Sequence, residues 1–144
     1  MAKSFHFSTA PGHLIRRAQQ LAVSIFMDET DGCDITPVQF AILNALIDDP
    51  GEDQVTLAAR VAFDPATFGS VIGRLEAKGW VVRQADPQDR RRKLLWITTD
   101  GSKLAISMKR AVTKAQQRIL APLSSAEQAQ FSLLLAKLVS GLEA

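Results

Sequence analysis

The chain has little of what metal and redox chemistry needs. Two histidines, His6 and His13, and one cysteine, Cys33, are all its imidazole and thiol groups. They are too few and too scattered for a zinc site, so no metal is expected. One thiol cannot close a disulfide within the chain. Its neighbours Asp28, Glu29, Asp31 and Asp34 are the opposite of the electropositive setting that makes a thiol reactive. A redox response through Cys33 therefore ranks behind an ordinary loop or interface thiol. There is no phosphate loop and no nucleophile elbow. Glu52-Asp53 is a single acidic pair at a loop end, where Asp53 reads as a helix cap. No catalytic residue, cofactor or enzyme activity is expected. No apolar run approaches the roughly 20 residues that span a bilayer. Met1 to Thr9 lack the charged-then-apolar order of a signal peptide. The expectation is a cytoplasmic protein with no membrane partner.

Net charge is also scarce, at +2 over 144 residues, but its distribution is uneven. Residues 74–93 hold seven cations (Arg74, Lys78, Arg83, Arg90, Arg91, Arg92, Lys93) against Glu76, Asp86 and Asp89. That stretch balances at +4, which leaves −2 for the rest. A basic island on a mildly acidic body is the footprint of a DNA binder. A merely solvated charged face is the alternative.

Hydrophobic residues make up 47% of the chain, enough for one domain with a real core. A first helix is predicted from about Pro11 to Met27, with Leu14, Ala18, Leu21 and Ile25 on one stripe. An acidic loop, 28–34, follows it. Thr36-Pro37-Val38-Gln39 carries a cap, a first-turn proline and a capping-box glutamine. Asp53 opens a short helix through Val61, and Asp64-Pro65 opens another. Two short helices joined by such a turn make a helix-turn-helix. In the second helix Phe68, Val71, Ile72 and Leu75 form a buried face, and Gly79 is the stop signal. Trp80–Arg83 and Leu94–Ile97 are β-prone runs around the turn Asp86-Pro87-Gln88-Asp89, a basic-tipped hairpin. Thr98 or Thr99 caps a long helix over 100–120. Ser124-Ser125-Ala126-Glu127 opens a last helix rich in leucine. The class is mainly α with a small β-hairpin: a winged helix-turn-helix over 36–98 within a single unit, 1–144. Flanking helices at 11–30 and 100–142 carry more apolar surface than a small winged domain can cover. Packing against a second copy would bury it; mutual cover within a monomer is the alternative.

The order of elements resembles the MarR (multiple antibiotic resistance regulator) family of winged helix-turn-helix transcription factors. The resemblance rests on Leu75-Glu76-Ala77-Lys78-Gly79-Trp80-Val81, Arg83, Asp86-Pro87-Gln88-Asp89-Arg90-Arg91 and Ile97-Thr98-Thr99-Asp100-Gly101. It implies a homodimer on double-stranded DNA, with recognition helices in successive major grooves of a pseudo-palindromic site, about 34 Å apart. It also implies that Asp89 orients Arg91 into the flanking minor groove. Arg90, Arg92 and Lys93 would then hold phosphates, as would Arg74 further along the recognition helix. Base-facing positions map to Pro65, Ala66, Thr67, Gly69 and Ser70, a smaller and less polar surface than is common in the family. Gly69 and Gly73 allow either close approach to DNA or tight packing on the hairpin.

Pro11-Gly12-His13-Leu14-Ile15-Arg16-Arg17-Ala18-Gln19-Gln20 is similar to family members that control aromatic-acid catabolism. The resemblance implies a repressor released by a small aromatic carboxylate or its thioester. His13, Arg16 and Arg17 could bind the carboxylate while the ring rests on Phe40. A salt bridge across the dimer interface is the other reading of those cations. A different class, a helical dimer whose wing binds an acidic protein, would lack specific DNA binding.

Overall fold

The computed structural model describes residues 4–143. Within them, Phe7–Thr9 form one 3-10 turn, and His13 meets Phe7 edge-on at 5.1 Å.

Helices α1 (Pro11–Glu29), α2 (Pro37–Asp48), α3 (Gln54–Arg60), α4 (Pro65–Ala77), α5 (Thr99–Leu120) and α6 (Ser125–Glu143) surround a small antiparallel sheet. The sheet has strands β1 (Glu52–Asp53), β2 (Val81–Ala85) and β3 (Lys93–Ile97), in the order β1-β3-β2. The hairpin and the helix order match the sequence expectation; β1 does not. It pairs Glu52 with Leu95 and Asp53 with Leu94, so the acidic pair starts a strand as well as a helix. Two residues give no alternation to read, and only β3 reveals them. Lys93 belongs to β3 rather than to the turn.

Local capping chemistry explains most helix starts. Thr36 and Gln39 form a reciprocal capping box. Asp53 accepts from the Thr56 amide, Asp64 from Ala66, and Thr98 from Gly101. The Ser124 backbone N–H and hydroxyl hold the Glu127 carboxyl below the usual carboxylate range, completing the box at α6. α1 runs two residues beyond the expected Met27 and takes in Asp28 and Glu29. Carboxylates at a helix C-terminus oppose its dipole. Here Arg118 of α5 meets both, at 2.6 and 2.8 Å. That long-range pair offsets the unfavourable placement of the two carboxylates at the end of α1.

The core gathers around Phe68, Ile72 and Leu75 of α4, Leu43 and Leu46 of α2, Leu95 of β3 and Met108 of α5. α1 lies along α5. α6 is different: it buries none of its residues, and Leu133 and Leu142 are 71% and 78% exposed. Phe131, Leu134, Leu135 and Leu138 extend this apolar surface at helical spacing. Leu14, Ile15 and Leu21 add to it from α1. Between α1, α5 and the start of α6 lies an apolar groove of about 280 Å³, lined by Leu21, Ile25, Ile119 and Phe131 among others.

Candidate nucleic-acid interface

α3 and α4 form the helix-turn-helix, and the turn between them is built from backbone. The Phe63 amide donates to the Ala58 carbonyl at 2.9 Å, and Ala62 donates to Ala59 at 3.1 Å. This is a Schellman ending with Ala62 in the left-handed region, φ 54°. A Cβ there costs about 1–2 kcal/mol. Ala62→Gly should therefore raise stability to urea by about 0.5–1 kcal/mol after the added chain entropy. An unchanged or lower midpoint would mean that the turn is not strained. The end of α4 repeats the motif with Gly79 at the left-handed position, φ 77°, and the Trp80 amide on the Leu75 carbonyl at 3.0 Å. Thr98 then ties this corner to α5. Its amide donates to the Trp80 carbonyl and its hydroxyl to Gly79. A Cβ on Gly101 would run into that same Trp80 carbonyl, which is why glycine stands in the first turn of α5.

On α4 the inward face is Phe68, Val71, Ile72 and Leu75. Pro65, Ala66, Thr67, Ser70 and Arg74 are exposed. Helical spacing places Ala66 and Ser70 opposite the core, with Thr67 and Arg74 along one edge. The Ser70 hydroxyl donates to the Thr67 carbonyl at 2.8 Å, which leaves its lone pairs to face a ligand. Gly69 lies on the other edge. A Cβ there would point at Gln54 Nε2, 3.5 Å away, and Arg83 Nη1, 4.0 Å away. At Gly73 it would meet Arg83 Nη2 at 3.9 Å. Both distances are ordinary van der Waals contacts, so a Cβ would fit at either glycine, and packing on the hairpin does not by itself require them.

The wing is shaped by two aspartates. Asp86 is buried; it accepts from the Gln88 amide at 2.9 Å and from Arg92 Nη1 at 3.2 Å. Asp89 accepts from the Arg91 amide at 3.1 Å, and its own carbonyl accepts from the Arg92 amide at 2.9 Å. Asp89 therefore fixes Arg91 through the backbone and leaves the guanidinium of Arg91 free to reach outward.

The seven cations of the basic island divide. Lys78 binds the Asp34 carboxylate at 3.0 Å and lies over the Trp80 ring. Arg83 binds Glu76 at 2.6 Å. Arg92 is held by Asp86 and, at 3.5 Å, by Asp53 of β1. Its fork thus ties the base of the wing loop to the start of α3, while its side chain stays 53% exposed. Arg74, Arg90, Arg91 and Lys93 are exposed and have no ion-pair partner among the described residues. Sequence reasoning missed Arg83, Lys78 and Asp86 as structural anchors. The Asp-Pro-x-Asp turn carried a signal for Asp86; Asp34, the partner of Lys78, and Gln54, the second partner of Arg83, lie too far along the chain to be read, and Glu76, seven residues before Arg83, meets it only because α4 packs on β2.

The expected ligand residues do not converge within one protomer. Phe40 packs on Phe26, with ring centroids 6.1 Å apart. His13 lies thirteen residues earlier on α1, roughly 20 Å along the helix axis. Arg17 donates to Gln20 on its own helix at 2.9 Å. Arg16 is exposed and has no side-chain partner among the described residues. Cys33 is half-buried against the core. No cluster of three or more potential metal ligands occurs among the described residues, and no helix among them is long and apolar enough to cross a membrane.

A family signature described as MarR family matches residues 34–92. Transcriptional regulator HosA of Escherichia coli O111:H- is 33% identical over 107 residues, 74% of this chain and 79% of that protein. The transcriptional repressor NicR of Pseudomonas putida is 30% identical, covering 89% of this chain and 81% of its own. Among solved structures, PcaV of Streptomyces coelicolor with its natural ligand superposes with a TM-score of 0.87 at 35% identity, over 96% of this chain and 98% of that one. BpsR of Bordetella bronchiseptica, whose DNA binding is regulated by 6-hydroxynicotinic acid, gives 0.88 at 35%, over 95% and 98%. The repressor CouR bound to a 23-mer DNA duplex gives 0.84 at 26%, over 96% and 99%. The fold, the wing and these likenesses agree, and the chain belongs to the MarR family of winged helix-turn-helix transcription regulators.

Proposed function

We propose that this protein is a homodimeric, sequence-specific DNA-binding repressor of the cytoplasm, released from its operator by a small aromatic carboxylate or its thioester. The observation that carries the DNA reading is the wing. Asp89 fixes the backbone of Arg91, while its neighbours Arg90 and Lys93 have no ion-pair partner among the described residues and lie exposed, as does the recognition-helix surface. A guanidinium at a protruding tip suits a narrow minor groove, and the flanking cations suit phosphates. Arg74 and Ser70 extend the same surface along α4. The dimer is supported by the uncovered apolar face of α6 and by the groove it borders with α1 and α5. Burial of that face against a second copy removes the largest apolar exposure on the chain.

The effector reading is supported by the likeness to BpsR and PcaV and by cations on α1. Arg16 is the most available carboxylate partner, because Arg17 is already engaged with Gln20. Phe40 is out of reach of that end of α1 in the same protomer. A site using both would have to be completed across the dimer. The effector must prefer the DNA-incompetent arrangement of the two lobes. A panel of hydroxylated benzoic and nicotinic acids, titrated against the protein–operator complex, tests this. At least one acid should release DNA from the wild type, and Arg16→Ala should keep operator binding while losing that release. Release of the variant at the same acid concentration would place the carboxylate elsewhere.

A further inference from the structure

Arg83 sits where a strand side chain is expected to be apolar. In β2 the inward positions are Val81 and Arg83, which pair with Ile97 and Leu95 of β3. Val81 and Leu95 are buried. A guanidinium on this face loses part of its water and needs hydrogen-bond partners. The Arg83 side chain is 27% exposed, and each of its three nitrogens has one protein acceptor. Nε and Nη2 donate to Glu76 Oε1 of α4 at 3.1 and 2.6 Å, and Nη1 donates to Gln54 Oε1 of α3 at 3.2 Å. One planar group therefore joins both helices of the helix-turn-helix to the root of the wing. Gly69 and Gly73 leave the edge of α4 bare where the guanidinium lies. A fork with donors in fixed directions can serve these acceptors together; a lysine ammonium cannot.

We propose that Arg83 is a positioning residue for DNA recognition: it sets the angle of the wing to the recognition helix without touching DNA. The proposal rests on the DNA-binding function argued above. The wing carries Arg91 at its tip, and α4 carries Thr67 and Ser70. Both must meet one duplex at once, so a wing that pivots at its root forfeits the simultaneous fit. Although Arg83 belongs to the basic island of the sequence, its charge is spent on Glu76 and is not available to phosphate.

The test starts with a duplex selected by the wild-type protein from a random-sequence pool. Failure to enrich any sequence would refute the DNA-binding reading itself, separately from the role of Arg83. On the selected duplex, Arg83→Met, Glu76→Gln and the double variant are titrated at several salt concentrations, with thermal unfolding in parallel. Arg83→Met should weaken binding roughly tenfold, within the range of couplings inside one hydrogen-bond network. The slope of log affinity against log salt should stay at the wild-type value. Glu76→Gln should weaken binding in the same direction, and the double variant should add little to Arg83→Met. A slope reduced by about one per lost contact would mean that Arg83 holds a phosphate and would overturn the proposal. Unchanged affinity with a lowered melting temperature would reduce Arg83 to a purely structural role and overturn it equally. If Arg83→Met does not fold, Glu76→Gln decides: unchanged affinity there refutes the positioning role.

Discussion

Arg91→Ala should lower operator affinity on the order of a hundredfold and leave the dimer intact. The magnitude follows from symmetry: a specific arginine contact is worth about 1–3 kcal/mol, and a dimer loses it twice. The side chain of Arg91 is exposed and makes no ion pair or side-chain hydrogen bond among the described residues. The Asp89 carboxylate takes the Arg91 backbone amide, which alanine retains. Melting temperature and sedimentation should therefore match the wild type while the binding isotherm moves. Asp89→Ala should weaken binding by less and lower stability somewhat, because it unties the tip instead of deleting the contact. Near-wild-type affinity for Arg91→Ala would remove the wing from DNA recognition.

The second large effect is expected at α6. Leu134 and Leu138 lie one turn apart on its uncovered face, 54% and 44% exposed in the single chain. Leu134→Glu combined with Leu138→Glu should split the dimer, because two carboxylates without partners would otherwise be buried. Operator affinity should then fall on the order of a thousandfold, since two linked contacts become one independent contact. Sedimentation should report a monomer, and the melting temperature should fall along with it. A dimer of unaltered affinity would show that α6 faces solvent and that the apolar surface is covered in some other way.

What was legible in the sequence is what short-range chemistry writes. Thr36, Asp53, Asp64 and Thr98 each cap a helix through a backbone amide two or three residues ahead, and Gly79 ends α4 with a positive φ. The recognition helix, the hairpin and the uncovered C-terminal helix could all be placed from such signals and from periodicity. What was not legible depends on partners far away. Arg83 meets Gln54 across 29 positions, Lys78 meets Asp34 across 44, and Arg118 meets Asp28 across 90. No local pattern distinguishes these cations from Arg90 or Lys93, so the basic island looked more uniformly available to DNA than it is. The ligand residues are separated within one protomer, so a site that uses them all needs the second copy. His13 and Phe40 look compatible on paper, but α1 carries one of them about 20 Å from where the other packs.

The most direct measurement of the central claim is the salt dependence and stoichiometry of binding to the selected duplex. Two chains should bind per duplex. If Arg74, Arg90 and Lys93 of each chain hold phosphates, log affinity should fall against log salt with a slope of roughly −5. A flat salt dependence, one chain per site, or no binding to any duplex at low salt would contradict a dimer that grips DNA through paired wings and recognition helices.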